Sequence, residues 1–125
     1  MKILIVEDEK NFCDLLELTL VQRLNAHVKI VDDMRNIQAS AEKYLPDVIL
    51  LDLGLGGEPN NSGFPVLRNF KRSARTKDIP VIIMTGNRNK EYLVQAFKAG
   101  INSYVLKPPE MDDLIERIKK IVQPK

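Results

Sequence analysis

Five side chains that can do chemistry follow apolar runs of the sequence. Asp52 comes directly after residues 48–51, an aliphatic run without polar alternation, which is typical of a strand buried on both faces of a parallel sheet. Three further runs end in the same way, so the polar residues at the four run ends are Glu7, Asp8, Asp52, Thr85 and Lys107. Because ligands of open α/β sheets bind outside the carboxyl ends of the strands, we expect these side chains to share one site.

Carboxylates gathered at one site predict phosphoryl chemistry assisted by a cation. Glu7, Asp8 and Asp52 would repel one another, and a hard divalent cation such as Mg²⁺, which prefers oxygen ligands, would relieve that repulsion. Asp52 could then attack a phosphoryl group and hold it as an acyl phosphate. The Lys107 ammonium and the Thr85 hydroxyl would contact the phosphoryl oxygens, because phosphoryl transfer depends mainly on positioning and charge neutralisation.

The elements that must position these residues alternate between short apolar runs and longer stretches of helical period. This alternation is typical of repeated βαβ units. With right-handed crossovers it predicts a doubly wound (βα)5 α/β fold, a flavodoxin-like three-layer sandwich whose parallel sheet has the strand order 2-1-3-4-5. Residues 28–31 alternate in polarity, which indicates an edge strand. The order brings the ends of the other four strands together.

Each predicted helix carries an apolar stripe. Asp32 or Asp33 is expected to cap the second helix, Pro46 to end it, and Gly100 to end the fourth. The stripes are formed by Phe12, Leu15, Leu16, Leu18, Thr19 and Leu20 in the first helix, Met34, Ile37, Ala41, Tyr44 and Leu45 in the second, Val66, Leu67, Phe70 and Ala74 in the third, Leu93, Ala96 and Phe97 in the fourth, and Met111, Leu114, Ile115, Ile118, Ile121 and Val122 in the fifth.

Length and composition limit the class of protein. The 125 residues predict a single domain over 1–125, and no apolar run approaches the roughly 18 residues that span a membrane. Residue 3 already begins a strand, so no signal peptide is expected, and the single cysteine, Cys13, excludes an internal disulfide. These features predict a cytoplasmic protein. A net charge of +2 does not indicate nucleic-acid binding, and the basic stretch 68–77 is interpreted as a solvated helix face.

The residues at the strand ends carry a family resemblance. Glu7–Asp8, Asp52, Thr85 and Lys107–Pro108, in this order, resemble the receiver domain of two-component response regulators, and the resemblance extends over the whole chain. It implies that Asp52 is a phosphoacceptor, which takes a phosphoryl group from a histidine kinase or a histidine phosphotransfer protein in phosphorelay signal transduction. It also implies a signalling switch that is not an enzyme.

The resemblance implies a metal site. Asp8, Asp52 and the backbone carbonyl of Gly54 are expected to ligate Mg²⁺, with Mn²⁺ as an expected substitute, and Glu7 is expected to act largely through a metal-bound water. Three oxygen donors and a half-open acidic pocket suit a cation that keeps several waters.

The resemblance also implies a phosphate site and a switch. Lys107 is expected to pair with the phosphate, with a cis bond to Pro108, while Thr85 moves toward the phosphoryl group and Tyr104 turns inward behind it. Such a switch is a two-state equilibrium that phosphate contacts bias. The output domain or downstream partner is expected to bind the face formed by the fourth helix, the fifth strand and the fifth helix, which includes Lys90, Tyr92, Lys98 and Tyr104.

The loop after Asp52 departs from the receiver pattern. Receivers commonly carry a proline four residues after the phosphoacceptor and a glycine eight after it, whereas here Gly56 takes the first place and Gly63 lies eleven positions on. Residues 53–63 therefore form a loop that is three residues longer. Gly54 and Asn87 are at the positions that tune dephosphorylation in receivers. Their small side chains predict a phosphate lifetime of minutes and not days.

Two other functions compete with a phosphorylated switch. A haloacid-dehalogenase-type phosphohydrolase would also use an aspartyl nucleophile and Mg²⁺, but it needs a second aspartate two residues later, where this chain has Gly54. A receiver-like scaffold would bind partners without phosphorylation, and the complete acidic set disfavours it. Treatment with acetyl phosphate would separate these functions.

Overall fold

The computed structural model describes residues 1–54 and 63–122, apart from the side chain of Met34. Strands and α-helices alternate along these residues as the sequence predicts. They are β1 (Lys2–Val6), α1 (Lys10–Leu24), β2 (His27–Val31), α2 (Ile37–Tyr44), β3 (Val48–Asp52), α3 (Gly63–Arg72), β4 (Val81–Thr85), α4 (Lys90–Lys98), β5 (Ser103–Leu106) and α5 (Met111–Ile121), with a short 3₁₀ helix, Met34–Asn36, before α2.

The five strands form one parallel sheet in the order β2-β1-β3-β4-β5, which confirms the predicted fold class. Every residue of β3 and β4 is buried, whereas β2 lies at an edge and is largely accessible. The apolar run before Asp52 is therefore a central strand. All of its residues are buried because helices cover both faces of the sheet. In the register of β3 with β4, Asp52 is opposite Met84.

Two apolar layers lie on opposite faces of the sheet because successive strand side chains point to opposite sides. Leu4, Ile49 and Ile83 belong to the layer that includes residues of α2, α3 and α4. Ile5 and Leu50 belong to the layer that includes residues of α1 and α5. The result is the predicted three-layer sandwich, and it holds the carboxyl ends of the strands at one edge.

The apolar stripe of α1 differs from the predicted one. Cys13, Leu16 and Leu20 form its buried side, while Leu15 and Leu18 are 49% and 56% exposed. The buried stripe is therefore narrower than predicted. It keeps Leu16 and Leu20 and is completed by the small side chain of Cys13. The inclusion of Leu15 and Leu18 in the core was wrong.

Three other predicted core residues are exposed. Ala74 lies beyond the end of α3, Leu45 follows α2, and Phe97 is on the outer side of α4. After α3 the chain turns, and the Thr76 hydroxyl donates to the carbonyl of Phe70 at 2.7 Å, so the helical period does not continue. Phe97 instead packs edge to face against Tyr104, with ring centroids 6.0 Å apart.

The helix ends are set by local hydrogen bonds. The Asp33 carboxylate accepts from the backbone N–H of Arg35, so it caps the 3₁₀ helix that leads into α2 and not α2 itself. Leu45 ends α2 in the left-handed conformation, directly before Pro46. Gly100 has φ = 107°, which supports its predicted role at the end of α4 because glycine adopts positive φ without strain.

The length and polarity of the helices decide whether any of them could cross a membrane. Among the helices of residues 1–54 and 63–122, we found none whose length and apolar character would let it span a bilayer.

Candidate functional site

The predicted site residues converge at the carboxyl edge of the sheet. Glu7 and Asp8 follow β1, Asp52 ends β3, Thr85 ends β4 and Lys107 follows β5. Oxygen atoms of Glu7, Asp8 and Asp52 lie within 4.8 Å of one another. The residues come from four neighbouring strands, so strand order brings together groups that are distant in sequence.

An open cleft of about 470 Å³ lies above Asp52. Predicted site residues form most of its wall. Tyr92, which the sequence predicts only on the face formed by α4, β5 and α5, also lines it. The lining residues are Asp52, Gly54, Thr85, Gly86, Asn87, Tyr92 and Lys107. A cleft of this volume, lined by a carboxylate, a hydroxyl and an ammonium, has room for a small anionic group beside a cation.

Tyr92 reaches the cleft from the first turn of α4. Its ring packs edge to face on Phe64 of α3, with centroids 5.4 Å apart. Burial raises the pKa of Tyr92 and the charge of Asp52 adds to this, while hydrogen bonding to Thr85 acts in the opposite direction. The sequence carried no signal for this position, because the path of residues 86–89 decides which side of α4 faces the site.

Lys107 is held among three groups. Its Nζ donates to Glu7 Oε1 at 2.7 Å, lies 3.6 Å from Asp52 Oδ2, and is 4.8 Å from the centroid of the Phe12 ring. Burial alone would lower the pKa of Lys107, but the hydrogen bond to Glu7 and the charge of Asp52 outweigh it and raise the pKa. The ammonium therefore stays protonated. The Lys107–Pro108 bond is cis, as the resemblance implied.

Glu7 is the most buried acid of the site, with 1% of its side chain exposed. Its Oε2 accepts from the backbone N–H groups of Asp8 and Glu9 at 3.1 and 3.2 Å. Burial raises the pKa of Glu7, Lys107 opposes this, and the charge of Asp52 raises it again, so the net direction is upward. Burial thus disfavours the charged form of Glu7, and the Lys107 ammonium only partly compensates for this.

The acidic cluster fits a hard divalent cation. Glu7, Asp8 and Asp52 offer only oxygen donors, and Asp8 is exposed at the open side. Mg²⁺ is commonly bound by one or two carboxylates together with waters and a phosphate oxygen. The Asp52 Oδ1 accepts from the backbone N–H of Gly54 at 2.9 Å, so the turn that orients the carboxylate also carries the predicted carbonyl ligand.

Thr85 is buried at the end of β4. Its hydroxyl oxygen accepts from the backbone N–H of Asn87 at 3.0 Å, while the Asn87 side chain accepts from the N–H of Asn89 at 2.8 Å. Both side chains are tied to the turn that leads into α4. A hydroxyl can donate and accept at the same time, so Thr85 can also donate, and the Tyr92 hydroxyl, with which it interacts, would compete with a phosphoryl oxygen for that hydrogen.

Tyr104 lies on the α4–β5–α5 face and is not among the residues that line the cleft. Its ring is between Phe97 of α4 and the guanidinium of Arg117, each 6.0 Å away. Arg117 also donates to the Ser103 hydroxyl at 2.6 Å and pairs with Asp113. The structure thus places Tyr104 partly outward, and its inward turn stays a prediction.

Gly63 joins the two ends of the long loop. Its N–H donates to the carbonyl of Leu53 at 2.9 Å, and a Cβ on Gly63 would lie 2.5 Å from Leu53 Cα and 2.8 Å from the Asp52 carbonyl oxygen. Only glycine allows this approach. The predicted place of Gly56 and the path of residues 55–62 lie outside the described residues.

Cys13 lies behind the site and is expected to be unreactive in the folded protein. It is buried, its thiol donates to the carbonyl of Glu7 at 3.4 Å, and burial followed by the charge of Glu7 raises its pKa to about 12. The thiolate is the nucleophile. Iodoacetamide at about pH 8 should therefore alkylate the urea-unfolded chain far faster than the native one. Equal rates by mass spectrometry would contradict this arrangement.

Known proteins are similar to this chain in sequence and in fold. The family model described as the response regulator receiver domain matches residues 3–119. The DNA-binding dual master transcriptional regulator RpaA of Synechocystis is 31% identical over 98% of this chain and 49% of its own length. The chain thus spans about half the length of the curated relatives it matches.

Two solved structures are similar over nearly the whole chain. The signal receiver domain of a DNA-binding response regulator from Colwellia psychrerythraea has a TM-score of 0.88 and 30% identity and covers 99% of both chains. The receiver domain of sensor histidine kinase PA1611 from Pseudomonas aeruginosa, with a magnesium ion coordinated in its active site cleft, has a TM-score of 0.83 and 26% identity and covers 98% of both. With the fold and the acidic cleft described above, these matches show that the chain belongs to the receiver domain family of two-component response regulators.

Proposed function

We propose that residues 1–125 act as a single cytoplasmic receiver that accepts a phosphoryl group on Asp52. The donor is the phosphohistidine of a histidine kinase or of a histidine phosphotransfer protein. One observation carries the proposal: Asp52 belongs to a cluster of three carboxylates and, together with the Lys107 ammonium 3.6 Å away, lines an open cleft that can admit a phosphoryl group. In this proposal the protein is a signalling switch and not an enzyme that turns over external substrates.

In the proposed transfer, an oxygen of Asp52 bonds to phosphorus while the P–N bond of the phosphohistidine breaks. The N–H of Gly54 orients the carboxylate, and Lys107 is already 3.6 Å from Asp52 Oδ2, close enough to turn from Glu7 to a phosphoryl oxygen. Mg²⁺, or Mn²⁺ in its place, would be held by Asp8, Asp52 and the carbonyl of Gly54, with Glu7 beside them, and would supply further positive charge.

The proposed switch uses Thr85 and Tyr104. The Thr85 hydroxyl lines the cleft and would donate to the phosphoryl group, which adds hydrogen bonds in one conformation only. Tyr104 would then leave Phe97 and Arg117 and turn inward. This rearrangement would change the α4–β5–α5 face, which also carries Lys90, Tyr92 and Lys98. A downstream protein or output domain would read the change.

The test is phosphorylation by acetyl phosphate, followed by mass spectrometry of the intact protein. With Mg²⁺ the wild type should gain one phosphoryl mass, and this gain should be lost on Asp52→Asn or with EDTA. Asp14→Asn, which changes an exposed aspartate of α1, is the matched control and should behave like the wild type. An unmodified wild type would indicate a scaffold. Steady hydrolysis of p-nitrophenyl phosphate would indicate a phosphohydrolase.

The phosphate lifetime tests the proposed roles of Gly54 and Asn87. Both line the cleft, where their small side chains leave water a path to the acyl phosphate. The radiolabelled phosphoprotein should lose its label within minutes, and Asn87→Tyr should slow the loss by covering the path. Label that persists overnight in the wild type would show that another group excludes water.

A further inference from the structure

We propose that Phe12 is a positioning residue for Lys107, and that the face of its ring keeps the ammonium aimed at the acceptor carboxylate. The inference rests on the proposed function, because it concerns the lysine that would bind the phosphoryl group. It adds a residue from α1 to a site that is built mainly from strand ends, with Tyr92 contributed by α4. The group that the Phe12 ring contacts is the ammonium of Lys107 in the same chain.

The geometry is that of a cation–π contact. Lys107 Nζ lies 4.8 Å from the ring centroid of Phe12, within the roughly 6 Å at which a ring quadrupole attracts a cation. The two carboxylate contacts of the ammonium, with Glu7 at 2.7 Å and Asp52 at 3.6 Å, complete its surroundings. Only 27% of the Lys107 side chain is exposed, so water screens these contacts incompletely.

The Phe12 ring is itself held in place. The backbone N–H of Phe12 donates to the carboxylate of Glu9 at 2.8 Å. Glu9 is the N-terminal cap of α1, so this bond fixes the backbone of Phe12. Its side chain is half-buried and packs against the apolar layer between the sheet, α1 and α5. Packing thus restricts the ring, whereas Lys107 has a long side chain with several rotatable bonds.

This arrangement matters when a phosphoryl group enters. Lys107 must then exchange the Glu7 carboxylate for a phosphoryl oxygen near Asp52. A ring face that stays in contact during the exchange restricts the ammonium to one side of the cleft, and it lowers the conformational entropy that Lys107 loses when the anion binds. An aliphatic residue of similar size at position 12 would fill the space without attracting the charge.

The test uses beryllofluoride with Mg²⁺ as the phosphoryl mimic, because a small inorganic probe needs no protein partner, and so no contact of a partner with α1 affects the result. Phe12→Leu should weaken the apparent beryllofluoride affinity roughly two- to tenfold, because the anion must then order a Lys107 side chain that the ring no longer restrains. Phe12→Tyr keeps the ring and should bind within about twofold of the wild type. In NMR spectra, the ε-methylene protons of Lys107 should be shifted upfield by the ring in the wild type and in Phe12→Tyr, and not in Phe12→Leu.

Each of the other possible outcomes contradicts either the positioning role of Phe12 or the proposed function. Wild-type affinity in Phe12→Leu, or an equal loss in Phe12→Tyr, would overturn the positioning role. An absent upfield shift in the wild type would do the same, whatever the affinities. If the wild type itself binds no beryllofluoride and gains no phosphoryl mass, the proposed function fails first. The NMR comparison then still shows whether the ring contacts the ammonium, and it also reports whether Phe12→Leu is folded.

Discussion

Lys107→Met is expected to lower the free energy of unfolding by roughly 2 kcal/mol at neutral pH in the absence of divalent cations. The reason is that the Glu7 side chain, only 1% exposed and already close to Asp52, loses its 2.7 Å partner. Methionine preserves most of the aliphatic volume of lysine, so the loss reports on charge. Urea unfolding of the two proteins in EDTA measures it.

The pH dependence of this loss identifies Glu7 as its source. The folded-state pKa of Glu7 is raised above its unfolded value, mainly by burial, so its contribution to stability is fully present below the unfolded pKa and is lost as pH rises through the folded pKa. Without Lys107 that loss should grow, because a group that lowers the pKa of Glu7 has gone. The defect of Lys107→Met should therefore be largest near neutral pH and should shrink in acid.

Two variants control this result. Adding Glu7→Gln to Lys107→Met removes the uncompensated charge and should recover much of the lost stability at neutral pH. Lys120→Met replaces an exposed lysine of α5 and should change the free energy of unfolding by less than about 0.5 kcal/mol. A defect of equal size at acid and neutral pH would show that lost packing, and not the Glu7 charge, is responsible.

Gly63→Ala is expected to destabilise the protein by about 2–3 kcal/mol and to slow phosphorylation of Asp52. The added Cβ would lie 2.5 Å from Leu53 Cα and 2.8 Å from the Asp52 carbonyl oxygen. Both atoms belong to the backbone, so no side-chain rotation can relieve the clash. The chain that carries Asp52 would have to move.

Gly86→Ala is the matched control, because an added Cβ there meets no atom within 4 Å. It lines the same cleft, and its free energy of unfolding should stay within about 0.5 kcal/mol of the wild type. Thermal unfolding and the acetyl phosphate reaction measure both effects. A Gly63→Ala protein with native stability would mean that the loop ends can separate at little cost, contrary to the close approach in the structure.

The fold could be predicted from the sequence because its signals are local. Continuous aliphatic runs indicated buried strands, and the alternating run 28–31 indicated the edge strand, as the sheet shows. The faces of the helices were harder. Leu15, Leu18 and Phe97 are apolar and have helical spacing, yet they are exposed, since hydrophobicity alone does not decide where a helix meets the sheet.

The site divides in the same way. Glu7, Asp8, Asp52, Thr85 and Lys107 could be found from their places at strand ends, because strand order alone brings those ends together. Tyr92 and Phe12 could not, because each reaches the site from a helix whose rotation is set by tertiary packing. The sequence shows that Gly63 lies three positions later than the glycine of other receivers. Its close contact with the Leu53 backbone is visible only in the structure, where the two ends of the loop meet.

The placement of the ion pair between Glu7 and Lys107 has a consequence for biosynthesis. The two residues follow β1 and β5, and β3 and β4 lie between these strands. Since a chain leaves the ribosome from its N-terminus, the three acids emerge long before their lysine. A nascent or prematurely terminated chain without β5 would have an acidic cluster with no Lys107 counter-charge, so the proposed competence to receive phosphate should appear only when translation has passed that strand.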